Sequence, residues 1–345
     1  MKIAIITDTH FGTRKNSTYF MEQQRKFYDD KFFPYLKEHK ITTIIHLGDF
    51  FDNRKTVNFG TLRHAKECFI NPIVDNNYDL HMLVGNHDSF FKSNGDLTST
   101  KLLFNDIPNI TVYDRAMAST TMFGDKTFFM CPWIFPIQKE EMTERLRTIN
   151  YDVVCGHFEM MGVVFQGNTM SRKGIDTDVF SHIPHVFSGH FHKKSEYYVG
   201  SPYAMTWADY DDPKRIIIYD TDTDETEDIY LADDTYKKLI YPDDKDFANI
   251  GSVEGKILRI IVKSKDNPAE FDDWIGVLEC HEPQEIDIKE EHLYLDVLSD
   301  DDLDDDTDTL GVLLSSIDDI AELKDSDKIV IKEIMKQLYD KAGEK

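Results

Sequence analysis

The chain reads as an α/β protein whose first two-thirds forms a largely parallel sheet. Short apolar, β-branched runs recur at Lys2 to Thr7, Thr42 to Leu47, Leu80 to Val84, Val153 to Cys155 and Val186 to Ser188. Amphipathic or polar stretches separate them, and each run ends in a polar motif containing Asp, His or Asn.

In chain order, the stretch from Tyr19 to His39 has helical length, with Phe20, Phe27 and Leu36 as inward residues. A second helix is predicted from about Asn58 to Ile70 and is expected to stop at Asn71-Pro72, because proline disfavours helical geometry in the residue before it. The early part thus reads βαβαβ. After Gly200 a strand from Arg215 to Tyr219, an acidic turn from Asp220 to Asp228 and a return strand from Ile229 to Leu231 are expected. Residues 233–249 read as a linker. Lys256 to Val262, Ala269 to Leu278 and Glu285 to Ile288 form a strand, helix and strand, and Ser299 to Asp308 is an aspartate-rich tether. In the last segment Leu310, Leu313, Leu314, Ile317, Ile320 and Leu323, then Val330, Ile334 and Leu338, recur at helical spacing, which predicts two short amphipathic helices.

Composition narrows the function. The 345 residues are 41% hydrophobic and 12% aromatic, which excludes a wholly disordered chain. No apolar run reaches the ~18 residues of a membrane span, and the first run breaks at Asp8, so a cytoplasmic protein without a secretory signal is expected. Cys68, Cys131, Cys155 and Cys280 show no metal-type or disulfide-framework spacing. The net charge of −25 lies wholly beyond residue 200, while residues 1–200 are neutral overall, so acidity does not exclude a phosphate-backbone substrate for the first part.

The polar motifs are Asp8-Thr9-His10, Gly48-Asp49, Gly85-Asn86-His87-Asp88, Gly156-His157 and Gly189-His190-Phe191-His192. Residues beyond the carboxyl ends of strands in an α/β sheet converge in space though far apart in sequence. Four motifs carry a glycine before the polar residue, consistent with a tight exit from the strand. The set offers carboxylates, an amide oxygen and imidazoles with no thiolate, which suits a pair of divalent manganese, iron or zinc ions better than an all-oxygen cage. Such a pair activates water and stabilises both oxygens of a phosphoryl displacement, so the reaction class is phosphoester hydrolysis. Loops of the phosphate-binding, zincin and nucleophile-elbow types are absent. His39, His46, His64, His81, His182, His185, His281 and His292 read as surface or packing residues.

In this order the motifs resemble those of the calcineurin-like metallophosphoesterases. The context Gly48-Asp49-Phe50-Phe51-Asp52-Asn53-Arg54 and the Gly200-Ser201-Pro202 after the last histidines resemble the SbcD-type double-strand-break-repair nucleases, and among these the recombination endonuclease subunits of T4-like phages. The resemblance implies a metallophosphoesterase sandwich core over residues 1–232, a small α+β capping domain over 250–300 and a helical ATPase-binding tail over 309–345. It implies that Asp8, His10 and His192 hold one metal, that Asn86, His157 and His190 hold the other, and that Asp49 bridges them. His87 aligns with the catalytic histidine, with Asp88 as partner for its ring. At Asp52 the sequence departs from the histidine that cellular members often carry there, which bears on the balance of exonuclease and endonuclease activity.

Arg14, Lys15, Arg54, Lys55, Arg172, Lys173, Lys193 and Lys194 lie close to the motifs and read either as a non-specific DNA track or as solvated surface. The tail helices, set apart by the tether, are expected to dock on a partner, which the resemblance names as an SbcC-type coiled-coil ATPase, and a homodimer is implied too. The leading reading is a manganese-dependent DNA nuclease of recombination and repair. The alternatives are a small-substrate phosphodiesterase or phosphatase of the same superfamily, and a metal-free scaffold, which would be expected to have lost ligands.

Overall fold

Ile3, Ala4, Ile5 and Ile6 are all buried, so the first strand is covered on both faces and its alternating side chains enter two different cores. In the computed structural model the described residues are 1–115, 120–166, 169–171, 173–231, 234–290, 314, 317, 328–332 and 334–335. They form two units, Met1–Met205 with Asp211–Asp233, and Thr206–Tyr210 with the residues from Asp234 onward.

The main strands of the first unit are β1 (Lys2–Ile6), β2 (Thr43–His46), β3 (Asp79–Leu83), β4 (Ile110–Tyr113), β5 (Thr120–Phe123), β6 (Lys126–Cys131), β7 (Val153–His157), β8 (His185–Gly189), β9 (Ile216–Asp220) and β10 (Glu225–Ile229). One sheet has the order β10-β9-β1-β2-β3-β4, parallel from β1 to β4, and the other has the order β8-β7-β6-β5, with β6, β7 and β8 parallel. Ile3, Ile5, Ile45 and Leu47 of the first sheet meet Phe128, Met130, Val153 and Cys155 of the second. Ala4, Ile6 and Ile44 face the helical layer at Tyr28, Phe32 and Phe69, while Phe129 and Val154 face Met142 and Leu146 of the helix Lys139–Thr148. The result is a helix, sheet, sheet, helix sandwich. The five motif-bearing runs are therefore divided between two sheets.

Phe20, Phe27 and Leu36 are buried as expected along the first helix. The second helix does not end at Asn71-Pro72: Phe59–Ala65 leads through Lys66–Ile70 into Asn71–Asp75. In both helices a widened π-type turn stands directly before the proline-bearing segment, Phe27–Phe32 before Pro34 and Lys66–Ile70 before Pro72. A proline lacks the N–H and crowds the carbonyl four residues back, and a widened turn relieves both.

The return strand after β9 begins at Glu225, earlier than expected, because four residues suffice for the turn, with Asp224 in the left-handed conformation at φ 62°. Its acidic side chains lie on an edge strand, where exposed charge is tolerated and discourages further pairing. Residues 233–249 are not a plain linker either. They contain β11 (Tyr236–Tyr241), which pairs in parallel with β12 (Ile257–Val262), itself parallel to β13 (Glu285–Glu290). Leu239, Tyr241, Leu258, Ile260, Phe271 and Trp274 form the core of this second unit beside the helix Pro268–Glu279. The Lys237-Lys238 pair masks the strand in sequence; both residues are only half-buried, while Tyr236 on one face and Leu239 on the other are buried. The tether and most of the tail lie outside the described residues; Leu314, Ile317 and parts of 328–335 are helical. Among the described residues no helix is long and apolar enough to cross a membrane.

One buried histidine of the helical layer makes stability depend on pH. His64 lies against Gln24 Oε1 (3.2 Å) and Cys68 Sγ (3.2 Å), and burial, with Arg25 nearby, holds its pKa down at about 4. Its folded value lies below the unfolded one, so its contribution is whole above about pH 6.5 and is lost as the pH falls towards 4. The midpoint of urea unfolding should fall between about pH 7 and pH 5, and less steeply in His64→Gln. Parallel pH profiles for the two proteins would refute this assignment.

Candidate metal centre

The loops beyond β1 and β2 run side by side. Asp8, His10 and Phe11 donate their N–H groups to the carbonyls of Gly48 (3.0 Å), Asp49 (3.1 Å) and Phe50 (2.8 Å). Four of the predicted ligands sit at positive φ, namely Asp8 (50°), His10 (41°), Asp49 (54°) and His190 (95°). Such conformations cost about 1–3 kcal/mol each in residues other than glycine and persist where the surroundings impose them, as at active sites. The expectation of a tight glycine exit holds at Gly48, φ 109°. At Gly85 the need is different: a Cβ there would overlap the Asp49 carboxylate.

Two groups of donor atoms result, each within 4.8 Å, one from Asp8, His10 and His192 and the other from Asp49, His157 and His190. In the first, Nε2 of His192 and Nε2 of His10 stand 3.1 Å apart. In the second, Asn86 Oδ1 lies 2.9 Å from His157 Nε2 and 3.0 Å from His190 Nδ1. Asp49 faces both groups, with Oδ2 3.2 Å from His157 Nε2 and 3.8 Å from His10 Nε2.

The chemistry of these donors fits a cation. His157 donates from Nδ1 to the Leu47 carbonyl at 2.8 Å, so in the neutral ring Nε2 is a lone pair aimed at two oxygen acceptors. Acceptors gather this way around positive charge, supplied by a proton on the ring or by a metal. Burial lowers the His157 pKa, yet Asp49 and Asp8 outweigh it and lift the value to about 9. Burial raises Asp49 in turn, while His157, His87 and His10 hold it well below the carboxylate range. A mixed nitrogen and oxygen set of this kind suits a divalent transition ion.

His87 stands beside both groups. Its N–H donates to Asp49 Oδ1 at 2.8 Å, and its ring centre lies 4.9 Å from that of His10. Ring Nδ1 donates to the Asp52 carbonyl, so Nε2 is the ring nitrogen left to exchange a proton, a lone pair in the neutral ring and an N–H donor in the protonated one. The Asp88 carboxylate is aimed elsewhere than expected. It accepts N–H groups of Gly85 (2.9 Å), Phe50 (3.0 Å) and Phe51 (3.3 Å), locking two ligand loops together. Burial and the Asp49 charge raise its pKa to about 6. The Asp52 carboxylate approaches His10 Nδ1 at 3.4 Å.

The profile of the calcineurin-like phosphoesterases matches residues 1–217. The chain belongs to this family. A calcineurin-like phosphoesterase is an enzyme of phosphoester hydrolysis, and the two donor groups lie within the matched region. Along its whole length the chain is similar to exonuclease subunit 1 of Enterobacteria phage T4, at 29% identity over 353 residues and 99% of each chain. Among solved structures a novel archaeal phosphodiesterase is similar at 16% identity and a TM-score of 0.35, covering 67% of this chain and 100% of that one, a likeness too distant to bear on function.

Two residues of this phosphoesterase site escaped the sequence reading. His46, which reads as a surface or packing residue in sequence, is fully buried beneath the ligand loops. It accepts from the Gly48 N–H (3.2 Å) and so donates from Nε2 to Thr9 Oγ1 (3.0 Å), which donates onward to the Phe50 carbonyl (3.2 Å). Burial holds its pKa at about 3, which keeps the ring neutral for this bridging. Its position two residues before Gly48 was the available signal. Trp133, whose ring centre lies 5.1 Å from that of His190, follows a strand that carries no polar motif.

The basic residues divide. Lys15, Lys55 and Lys173 are exposed and Arg14 and Lys193 are half-buried. Arg54, which reads as track or solvated surface in sequence, is buried at 7% exposure. Lys194 is paired with Asp228, and Arg172 lies outside the described residues.

Proposed function

We propose that the protein is a DNA nuclease, both exonuclease and endonuclease, that uses two divalent ions, manganese first among them, and acts with an SbcC-type coiled-coil ATPase in recombination and double-strand-break repair. The observation that carries this reading is that the likeness to phage T4 exonuclease subunit 1 extends over 99% of both chains, through the second unit as well as the catalytic one. A small-substrate phosphodiesterase or phosphatase offers no reason for likeness beyond the core.

Asp8, His10 and His192 would hold one ion and Asn86, His157 and His190 the other, with Asp49 shared. When bound, the pair supplies an activated water and neutralises charge on the phosphate. His87 Nε2 holds the proton that passes to the departing 3′ oxygen, with Asp52 and Asp49 fixing its ring and backbone. Asp88 keeps the ligand loops in register. Arg14, Lys15, Lys55 and Lys173 offer positive charge for the DNA backbone. Residues 250–300 would cap the DNA path, and residues 309–345 would dock on the ATPase, a reading supported by Val330 and Ile334, apolar yet 57% and 51% exposed. Assembly as a homodimer completes the proposal.

Manganese-dependent cleavage of linear duplex and circular single-stranded DNA, measured with and without the coiled-coil ATPase, tests it. Cleavage that weakens with rising salt is expected. Rapid hydrolysis of a small phosphodiester with no cleavage of either DNA would favour the small-substrate reading.

A further inference from the structure

The geometry points to Trp133 as a stacking surface for an unpaired nucleobase next to the scissile phosphate, an inference that rests on the nuclease reading above. Trp133 lies just beyond β6, and its N–H donates to the Val84 carbonyl at 2.8 Å, which ties it to the segment entering Gly85-Asn86-His87. Its ring centre is 5.1 Å from that of His190 and 6.0 Å from that of His157, so the indole flanks the donor group of Asp49, Asn86, His157 and His190. Pro132 and Phe135 are buried, whereas Trp133, beside the two imidazoles, is only half-buried. The same loop supports a second aromatic segment. A Cβ on Gly95 would meet the Phe135 ring at 3.0 Å, so the segment following Asp88 packs onto it. That segment is closed by Phe90 N–H to the Leu97 carbonyl (3.0 Å) and Ser99 N–H to the Asp88 carbonyl (2.8 Å). It carries Phe90 and Phe91, 37% and 43% exposed, with ring centres 4.9 Å apart.

Exposed aromatic surface around a polar catalytic centre marks a place where something apolar and flat is held. Every nucleobase has a π-face, so stacking on an aromatic side chain is tolerant of sequence and strengthens binding about 5- to 100-fold per base. Bases within a duplex are already stacked on one another. Trp133 therefore favours single strands and frayed ends over intact duplex.

The test uses the full chain with manganese and two single-stranded oligonucleotides, each with one cleavable phosphodiester among methylphosphonate linkages. One is intact and the other has abasic residues on both sides of the cleavable bond. Trp133→Ala is expected to lower kcat/KM on the intact strand about 5- to 100-fold, chiefly through KM, with a change of no more than about twofold on the abasic strand. Trp133→Phe should restore most of the loss. Trp133→Leu, which keeps apolar bulk without a π-face, should behave like the alanine variant. An equal loss on both strands would mean that Trp133 only positions His190, and no loss on the intact strand would mean that it holds no base; either overturns this inference alone. If the unmodified protein cleaves neither strand yet hydrolyses bis(p-nitrophenyl) phosphate, the nuclease reading fails and this inference with it.

Discussion

Replacing His87 with alanine should lower DNA cleavage about 10²- to 10⁴-fold while two metal ions per chain remain bound. The geometry separates these outcomes. The His87 ring is tied through Nδ1 to the Asp52 carbonyl, and the contact it makes with the Asp49 carboxylate comes from its backbone N–H, which alanine retains. The side chain can thus be removed without removing a donor from either ligand group. Metal content by elemental analysis together with kcat checks the prediction. Loss of a metal ion along with activity would make His87 a ligand, and an unchanged rate would remove it from the chemistry.

The second large effect is expected at Asp49, whose Oδ2 faces His157 of one donor group and His10 of the other. Asp49→Ala should abolish measurable cleavage and reduce bound metal below one ion per chain, whereas a residue serving one group alone would leave the other filled. Asp49 also supplies the negative charge beside buried His157 and accepts the His87 N–H. Deleting one member of a buried pair costs about 3–5 kcal/mol, so the metal-free variant should also unfold at a lower temperature than the metal-free wild type. Because a ligand that binds only the folded state stabilises it, manganese should raise the Tm of the wild type and have little effect on that of Asp49→Ala. Thermal melts with and without manganese read both effects. A full metal complement in the variant would place the shared ligand elsewhere.

Where the structure departs from local sequence pattern, long-range packing is the cause. The helix was expected to stop at Asn71-Pro72 on a local rule, but the burial of Phe69, Ile70 and Ile73 against the sheet holds it through a widened turn. The Lys237-Lys238 pair looks solvated in sequence, yet the ladder with β12 and the burial of Tyr236 and Leu239 make it part of a strand. Arg54 reads in sequence as DNA track or solvated surface, both of which need it accessible, and its burial is set by packing that no local pattern encodes. Asp88 was paired with its neighbour in sequence, but a buried carboxylate goes where unpaired N–H groups are, and these come from Gly85, Phe50 and Phe51.

By itself the sequence determined the α/β class, the order of the first strands and helices, and the identity of the donor-bearing motifs, since strand periodicity and residue chemistry are local properties written every few residues. Only the tertiary structure decided that those motifs come from two sheets rather than one, that His46 and Asp88 brace the loops from beneath, and that Trp133 flanks the centre. Each of these depends on burial and on hydrogen-bond partners tens of residues away, and a buried polar group takes whichever partner the packing of the whole chain brings within reach.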